Sequence, residues 1–213
     1  MAETVDGERK SANNQKELAE NHLLQAELLR SSGQFEMALF SVLHSLSIAS
    51  QMECFDVVLK AHVSFSEILL DLLSSPSRKA FSRRALRLLF RVLSFVLHHS
   101  DLSTQSRAFF TLARSYYAVE SFGLISFSPF PSCLDLTFGF RRDLLTTSDR
   151  STESASEFAA RAEQGFERLH EIEKLSQVYH LQACTFHKLN MFDKRNERSR
   201  RFRSLQPLLS SFL

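Results

Sequence analysis

Tryptophan is absent, and the chain breakers are scarce: five Gly and four Pro serve 213 residues. Antiparallel sheets need turn residues at every reversal, and this supply is too thin for them. Leu, Ala, Glu, Gln, Lys and Arg recur throughout, so the composition leans to helix. The cysteines, Cys54, Cys133 and Cys184, are odd in number and far apart, which fits neither a disulfide framework nor paired zinc ligands. A reducing compartment is expected. An excess of one charge is lacking too: 26 Lys plus Arg stand against 24 Asp plus Glu, for a net of +2. Nucleic-acid binders carry a concentrated basic face, so neither nucleic acid nor a membrane is expected as a partner. A membrane span needs about 18 apolar residues in a row. Leu86 to Leu97 is interrupted by Arg87 and Arg91, and Ser121 to Leu134 carries Pro129 and Pro131. Met1 to Lys16 also lacks the apolar stretch of a secretory signal, so export is not expected.

What is present is helical periodicity. Residues 1–15 read as a flexible polar leader, with structure expected from Lys16. A first helix to Arg30 carries Leu18, Leu24, Leu28 and Leu29 with Ala19 and Ala26, and Gly33 can take the left-handed conformation that stops it. A second, Phe35 to Ser50, has Leu39, Val42, Leu43 and Leu46 at helical spacing, and so short a turn makes the two antiparallel. A third, Phe55 to Leu73, ends at Ser74-Ser75-Pro76. A fourth, Arg78 to His98, sets Phe81, Ala85, Leu88, Val92 and Phe95 against Arg84, Arg87 and Arg91. A fifth, Leu102 to Glu120, takes Asp101 or Ser103 as its cap and turns Phe109, Leu112, Ala113, Tyr116 and Val119 inward.

Residues 122–150 lose the period and are rich in Phe, Pro, Gly, Ser and Thr, which reads as an inserted irregular loop. Helical pattern resumes at Ser154 to Ile172, Lys174 to Leu189 and Asp193 to Leu205, before an apolar tail at 207–213. The expected organisation is therefore helical repeats over 16–121 and 151–206, about four antiparallel pairs, with the loop inside the third.

The pairs follow the grammar of a 34-residue helix-hairpin repeat, with small residues where the two helices touch. Ala26, Leu29, Gly33 and Ala38 stand at those places in the first pair, Phe109-x-x-Leu112-Ala113-x-x-Tyr116 in the third, and Tyr179-x-x-Gln182-Ala183-x-x-Phe186 in the last. An ordinary helical bundle shares part of this pattern. The expected fold is all-α, a tetratricopeptide-like solenoid.

Three stretches carry a further resemblance. Leu24-Gln25-Ala26-Glu27-Leu28 through Ala38-Leu39, Arg107-Ala108-Phe109 with Leu112-Ala113, and Val178-Tyr179-His180-Leu181-Gln182-Ala183 through Phe202-Arg203-Ser204-Leu205 resemble the repeat region of the subunit 5 family of the anaphase-promoting complex. Arg195 stands where most such repeats want alanine and is similar to that family's last repeat. Asn190 replaces the usual turn glycine, a mild change because asparagine tolerates the left-handed conformation. Family members are longer and carry further helices before this region, which leaves a fragment, a short isoform or an altered gene reading as alternatives. An uncapped first pair would make the isolated chain poorly soluble. The resemblance implies a non-catalytic, nuclear and cytoplasmic scaffold in a cell-cycle ubiquitin ligase, whose partners are other protein subunits, with no small-molecule substrate.

No nucleophile motif, P-loop, dinucleotide fingerprint, cofactor site or metal-ligand pattern appears in the residues. His98-His99 read as cationic side chains suited to a helix end, and Cys184 as a small buried thiol. The candidate partner-binding residues are Arg84, Arg87 and Arg91 on one helical face and Arg195 and Arg198 in a second basic cluster, since arginine pairs well with carboxylates. A freestanding repeat adaptor for peptide motifs is the alternative function. Clamps for a C-terminal carboxylate need Lys and Asn where this chain has Leu23 and Glu27, Phe110 and Arg114, and His180 and Cys184, which argues against that kind.

Overall fold

The computed structural model describes residues 2–72, 78–120 and 148–210. Among them are eight helices and no strand: α1 Ala2–Ser31, α2 Phe35–Gln51, α3 Phe55–Asp71, α4 Arg78–His99, α5 Leu102–Glu120, α6 Ser148–Leu169, α7 Ile172–Lys188 and α8 Phe192–Ser210. Helix α1 reaches back through the expected leader to Ala2, because no proline stops a helix nucleated by the packing of its second half. Helix α6 likewise begins at Ser148, inside the stretch expected to be irregular; residues 121–147 lie outside the described residues. Helix α8 passes Leu205 and holds Pro207 within its closing turn.

Four of the turns share one geometry. Gly33, Glu53, His170 and Asn190 adopt φ of 78°, 54°, 56° and 56° between α1 and α2, α2 and α3, α6 and α7, and α7 and α8. At each, the next residue's N–H reaches back over the end of the helix: Gln34 to Leu29 O at 2.8 Å, Cys54 to Ala49 O at 2.9 Å, Glu171 to Phe166 O at 3.1 Å and Met191 to Phe186 O at 2.9 Å. A second bond runs from each left-handed residue itself, as from Gly33 N–H to Arg30 O at 3.1 Å. This is the Schellman stop, which satisfies carbonyls that a helix end otherwise leaves bare. Only Gly33 meets it without a Cβ; Glu53 and His170 hold a conformation that disfavours L side chains by roughly 1–2 kcal/mol. At α5 the start is set differently, by Asp101, whose Oδ1 accepts the Thr104 N–H at 2.7 Å.

The chain forms two compact units, divided between Ser100 and Asp101. In the first, α1 packs on α2, α2 on α3 and α3 on α4, and α1 also touches α3. That next-but-one contact is what stacked helix hairpins produce, so the fold is the tetratricopeptide-like all-α arrangement. Its core is lined with alanine: Ala19, Ala26, Ala38, Ala49 and Ala61 meet Leu23, Val42, Val57 and Ile68. The buried line of α1 is thus Ala19, Leu23 and Ala26, rotated from the expected leucine stripe, and Leu18, Leu24 and Leu28 are exposed. Small residues let the helix axes approach, and the leucines that would hold them apart stay outside.

In the second unit α5 packs on α6, α6 on α7 and α7 on α8, with α5 touching α7. Here aromatics join the buried alanines Ala108, Ala113, Ala155, Ala159 and Ala162 in the core. The Phe158 ring stacks with Phe109 and Tyr116, at 6.1 and 5.7 Å between centroids, and Phe110 meets Phe166 edge-on at 6.3 Å. Burial pushes the Tyr116 phenol well above its ordinary pKa. A Cβ on Gly165 of α6 would lie 1.8 Å from the Ser106 Oγ and 2.9 Å from its Cβ, so a side chain there would force Ser106 to shift. Ser106, Thr111 and Ser115 of α5 donate to the carbonyls of Leu102, Arg107 and Thr111, at 2.7, 2.7 and 2.8 Å, which lets this polar line be buried.

Candidate interaction surfaces

Of the five candidate arginines three face outward, Arg198 faces inward and Arg195 lies against its own helix. Arg84, Arg87 and Arg91 recur along α4 and are exposed, while Ser82, Ala85, Leu86, Leu89, Leu93 and Val96 are buried opposite them. None of the three makes an ion pair with a described carboxylate. Phe95, expected on the apolar side, is 51% exposed and continues the arginine row one turn on, because the buried line of α4 runs through Leu89, Leu93 and Val96. Its ring stacks with that of His99 at 6.5 Å.

Arg198 faces the protein. Its guanidinium donates to Glu163 Oε1 at 2.5 Å and lies over the Tyr179 ring, 5.8 Å from the centroid. Arg201 reaches the same carboxylate oxygen at 3.4 Å and the same ring at 5.9 Å. The other Glu163 oxygen accepts from Gln182 Nε2 at 2.8 Å, and Tyr179 donates to Glu167 at 3.1 Å. Burial, first, pushes the Tyr179 phenol up; Glu163 and Glu167 push the same way, and the Arg201 hydrogen bond opposes them. The phenol therefore keeps the proton it donates. This group ties α6, α7 and α8 together, so it holds the fold and offers no free cation to a partner. Arg195 is half-buried, donates to its neighbour Asn196 Oδ1 at 2.7 Å and lies over the Phe192 ring at 5.3 Å.

The first unit holds an equivalent lock. Arg30, at the end of α1, donates to Glu67 of α3 at 2.6 Å and lies 3.6 Å from Asp71. The Glu67 side chain is only 4% exposed. The signal available for both locks was a carboxylate inside an apolar stripe: Glu67 before Ile68-Leu69-Leu70, and Glu163 between Ala162 and Phe166. A buried carboxylate demands a cation, and each finds it on the helix next but one.

A second outward surface is apolar. Leu24 and Leu28 of α1 and Met37, Phe40 and Leu43 of α2 are exposed, Phe40 at 61%. The rings of His22 and His44 meet across the two helices at 5.6 Å.

Features suited to catalysis or ligation stay apart. Cys184 is half-buried, with its Sγ 3.8 Å from His180 Nε2 on the same helix. His98 Nδ1 contacts the Ser94 carbonyl at 2.6 Å. Among the described residues no group of three His, Cys, Asp or Glu converges on a metal-sized site, and no helix is long and apolar enough to cross a membrane.

No protein-family model matches the chain, and no curated protein does. Among solved structures it is similar to a de novo designed helical repeat protein, with 18% identity over 97% of each chain and a TM-score of 0.32, a likeness too loose to bear on function.

Proposed function

We propose that this chain is a non-catalytic scaffold that holds other proteins in place. The observation that carries the reading is the division of its chemistry-bearing side chains. Glu67, Asp71 and Arg30, and Glu163, Tyr179, Arg198 and Arg201, bind helix to helix, whereas the α4 arginines and the apolar side chains of α1 and α2 face outward. Stacked hairpins suit such work because each pair adds surface without a new fold.

More finely, the resemblance of residues 24–39, 107–113 and 178–205 supports a scaffold subunit of the anaphase-promoting complex, acting in mitosis within nucleus and cytoplasm and contacting other subunits of that ligase. The left-handed Asn190 agrees with a turn position where that family uses glycine. Size fractionation of extract from dividing cells tests this. The protein is expected in the high-mass fractions that hold ubiquitin-ligase activity; elution as a free chain of 24.4 kDa overturns the assignment.

A further inference from the structure

We propose that the outward row of α4, Arg84, Arg87 and Arg91 with Phe95 one turn beyond, docks an acidic amphipathic helix of a partner protein. This deepens the scaffold reading, and it rests on that reading in taking the partner to be a protein.

Charge argues first. Helix α4 carries Arg78, Lys79, Arg83, Arg84, Arg87 and Arg91 and not one carboxylate. Arg84 and Arg87 are three apart and Arg87 and Arg91 four apart, the spacings at which like charges on one helix repel. The row therefore works against its own helix, which is held by the burial of Leu86, Leu89, Leu93 and Val96. Elsewhere the molecule pairs the cations it places at helix contacts, as Arg30 with Glu67 and Arg198 with Glu163. At Arg84, Arg87 and Arg91 no described carboxylate does so.

Shape selects the occupant. By helical rise the row spans about 10 Å from Arg84 to Arg91, matching carboxylates set i, i+3 and i+7 on a facing helix. Guanidinium and carboxylate can pair through two parallel hydrogen bonds, which fixes register. Phe95 extends this line with an apolar ring, so the partner needs an apolar residue one turn beyond its last acid. Duplex nucleic acid calls for a broad basic face, and here the cations form a single line ending in a phenylalanine on a chain of net charge +2.

The test is fluorescence anisotropy on the full chain with a labelled synthetic helix carrying Glu at i, i+3 and i+7 and Leu one turn further. Controls are its Glu-to-Gln version, its Leu-to-Ala version, a duplex DNA and phosphatidylserine vesicles. The acidic helix should bind, weaken as salt rises, and lose about tenfold or more in affinity with the triple variant Arg84→Glu, Arg87→Glu, Arg91→Glu. Phe95→Ala should weaken the Leu helix several-fold and leave the Ala version unchanged. If melting shows that the triple Glu variant does not fold, the triple Gln variant takes its place. No binding by the parent chain, equal binding by the folded triple variant, or tighter binding to DNA or vesicles overturns the proposal. Should binding fail while the protein still fractionates with the ligase, the scaffold reading survives and only the docking face falls. Binding through α4 by a chain that elutes free does the reverse.

Discussion

The two units build the same hairpin-and-turn geometry from different packing chemistry. The first brings its helices together through alanines at five positions, Ala19, Ala26, Ala38, Ala49 and Ala61, and fills the gaps with aliphatic side chains. The second buries alanines as well, among them Ala108, Ala113, Ala155, Ala159 and Ala162, but concentrates its bulk in Phe158, Phe166, Phe110 and Tyr116, and sets Gly165 of α6 against Ser106 of α5. Each then ties a helix to the next but one with a buried carboxylate. In the first unit that carboxylate, Glu67, pairs with Arg30, and this arginine has a second acid nearby in Asp71. In the second, Glu163 serves Arg198, Arg201 and Gln182, and Arg201 also pairs with Glu197 at 3.0 Å. Sensitivity to a single substitution is therefore expected to be greater at Glu163 than at Glu67.

Removing the two carboxylates breaks the comparison most sharply. Glu163→Ala leaves Arg198 and Gln182 without their acceptor and should destabilise by about 3 kcal/mol, discounted for the partial exposure of the arginines. Glu67→Ala, with Asp71 still within reach of Arg30, should cost about 1–2 kcal/mol. Chemical denaturation of the two variants checks the order. Next is Gly165→Ala, which drives a methyl into Ser106 and should cost about 2 kcal/mol, part of it recovered when Ser106→Ala is added.

Turn substitutions distinguish the sites that share a backbone geometry. Glu53→Gly and His170→Gly relieve a left-handed residue and should each raise stability by about 1 kcal/mol, whereas Gly33→Ala should lower it by a similar amount. The smallest effect is on α4. Arg87→Glu sets an acid three and four residues from Arg84 and Arg91 and should stabilise by about 0.5 kcal/mol, read as a small rise in melting temperature. A fall there contradicts the self-repulsion on which the docking face depends.

The start of every helix from α2 to α5 was legible because the local chemistry is strong: Gly33 marks one stop, Pro76 precedes another start, and Asp101 caps α5. The beginning of α6 and the end of α8 were not. Residues 148–153 carry no glycine or proline to stop a helix and run directly into the stretch where Thr152 and Ser154 are buried, and Pro207 in a closing turn leaves the rest of α8 helical. Periodicity finds a stripe more easily than it finds the contact line. On α1 Leu18, Leu24 and Leu28 are exposed while Ala19, Leu23 and Ala26 are buried, because close approach of two helices favours a contact line with small residues. The direction of Arg198 was also beyond the sequence, since it depends on Glu163, 35 residues away in the chain. Arg84, Arg87 and Arg91 could be placed outward because four consecutive turns of α4 repeat the same amphipathic pattern.

The central claim is that this chain works by holding other proteins. Affinity purification of the full chain from dividing cells, with partners quantified by mass spectrometry, tests it most directly. Stoichiometric recovery of other subunits of the cell-cycle ubiquitin ligase is the expected result. Recovery of the folded chain alone, with no protein partner in stoichiometric amount, would contradict it.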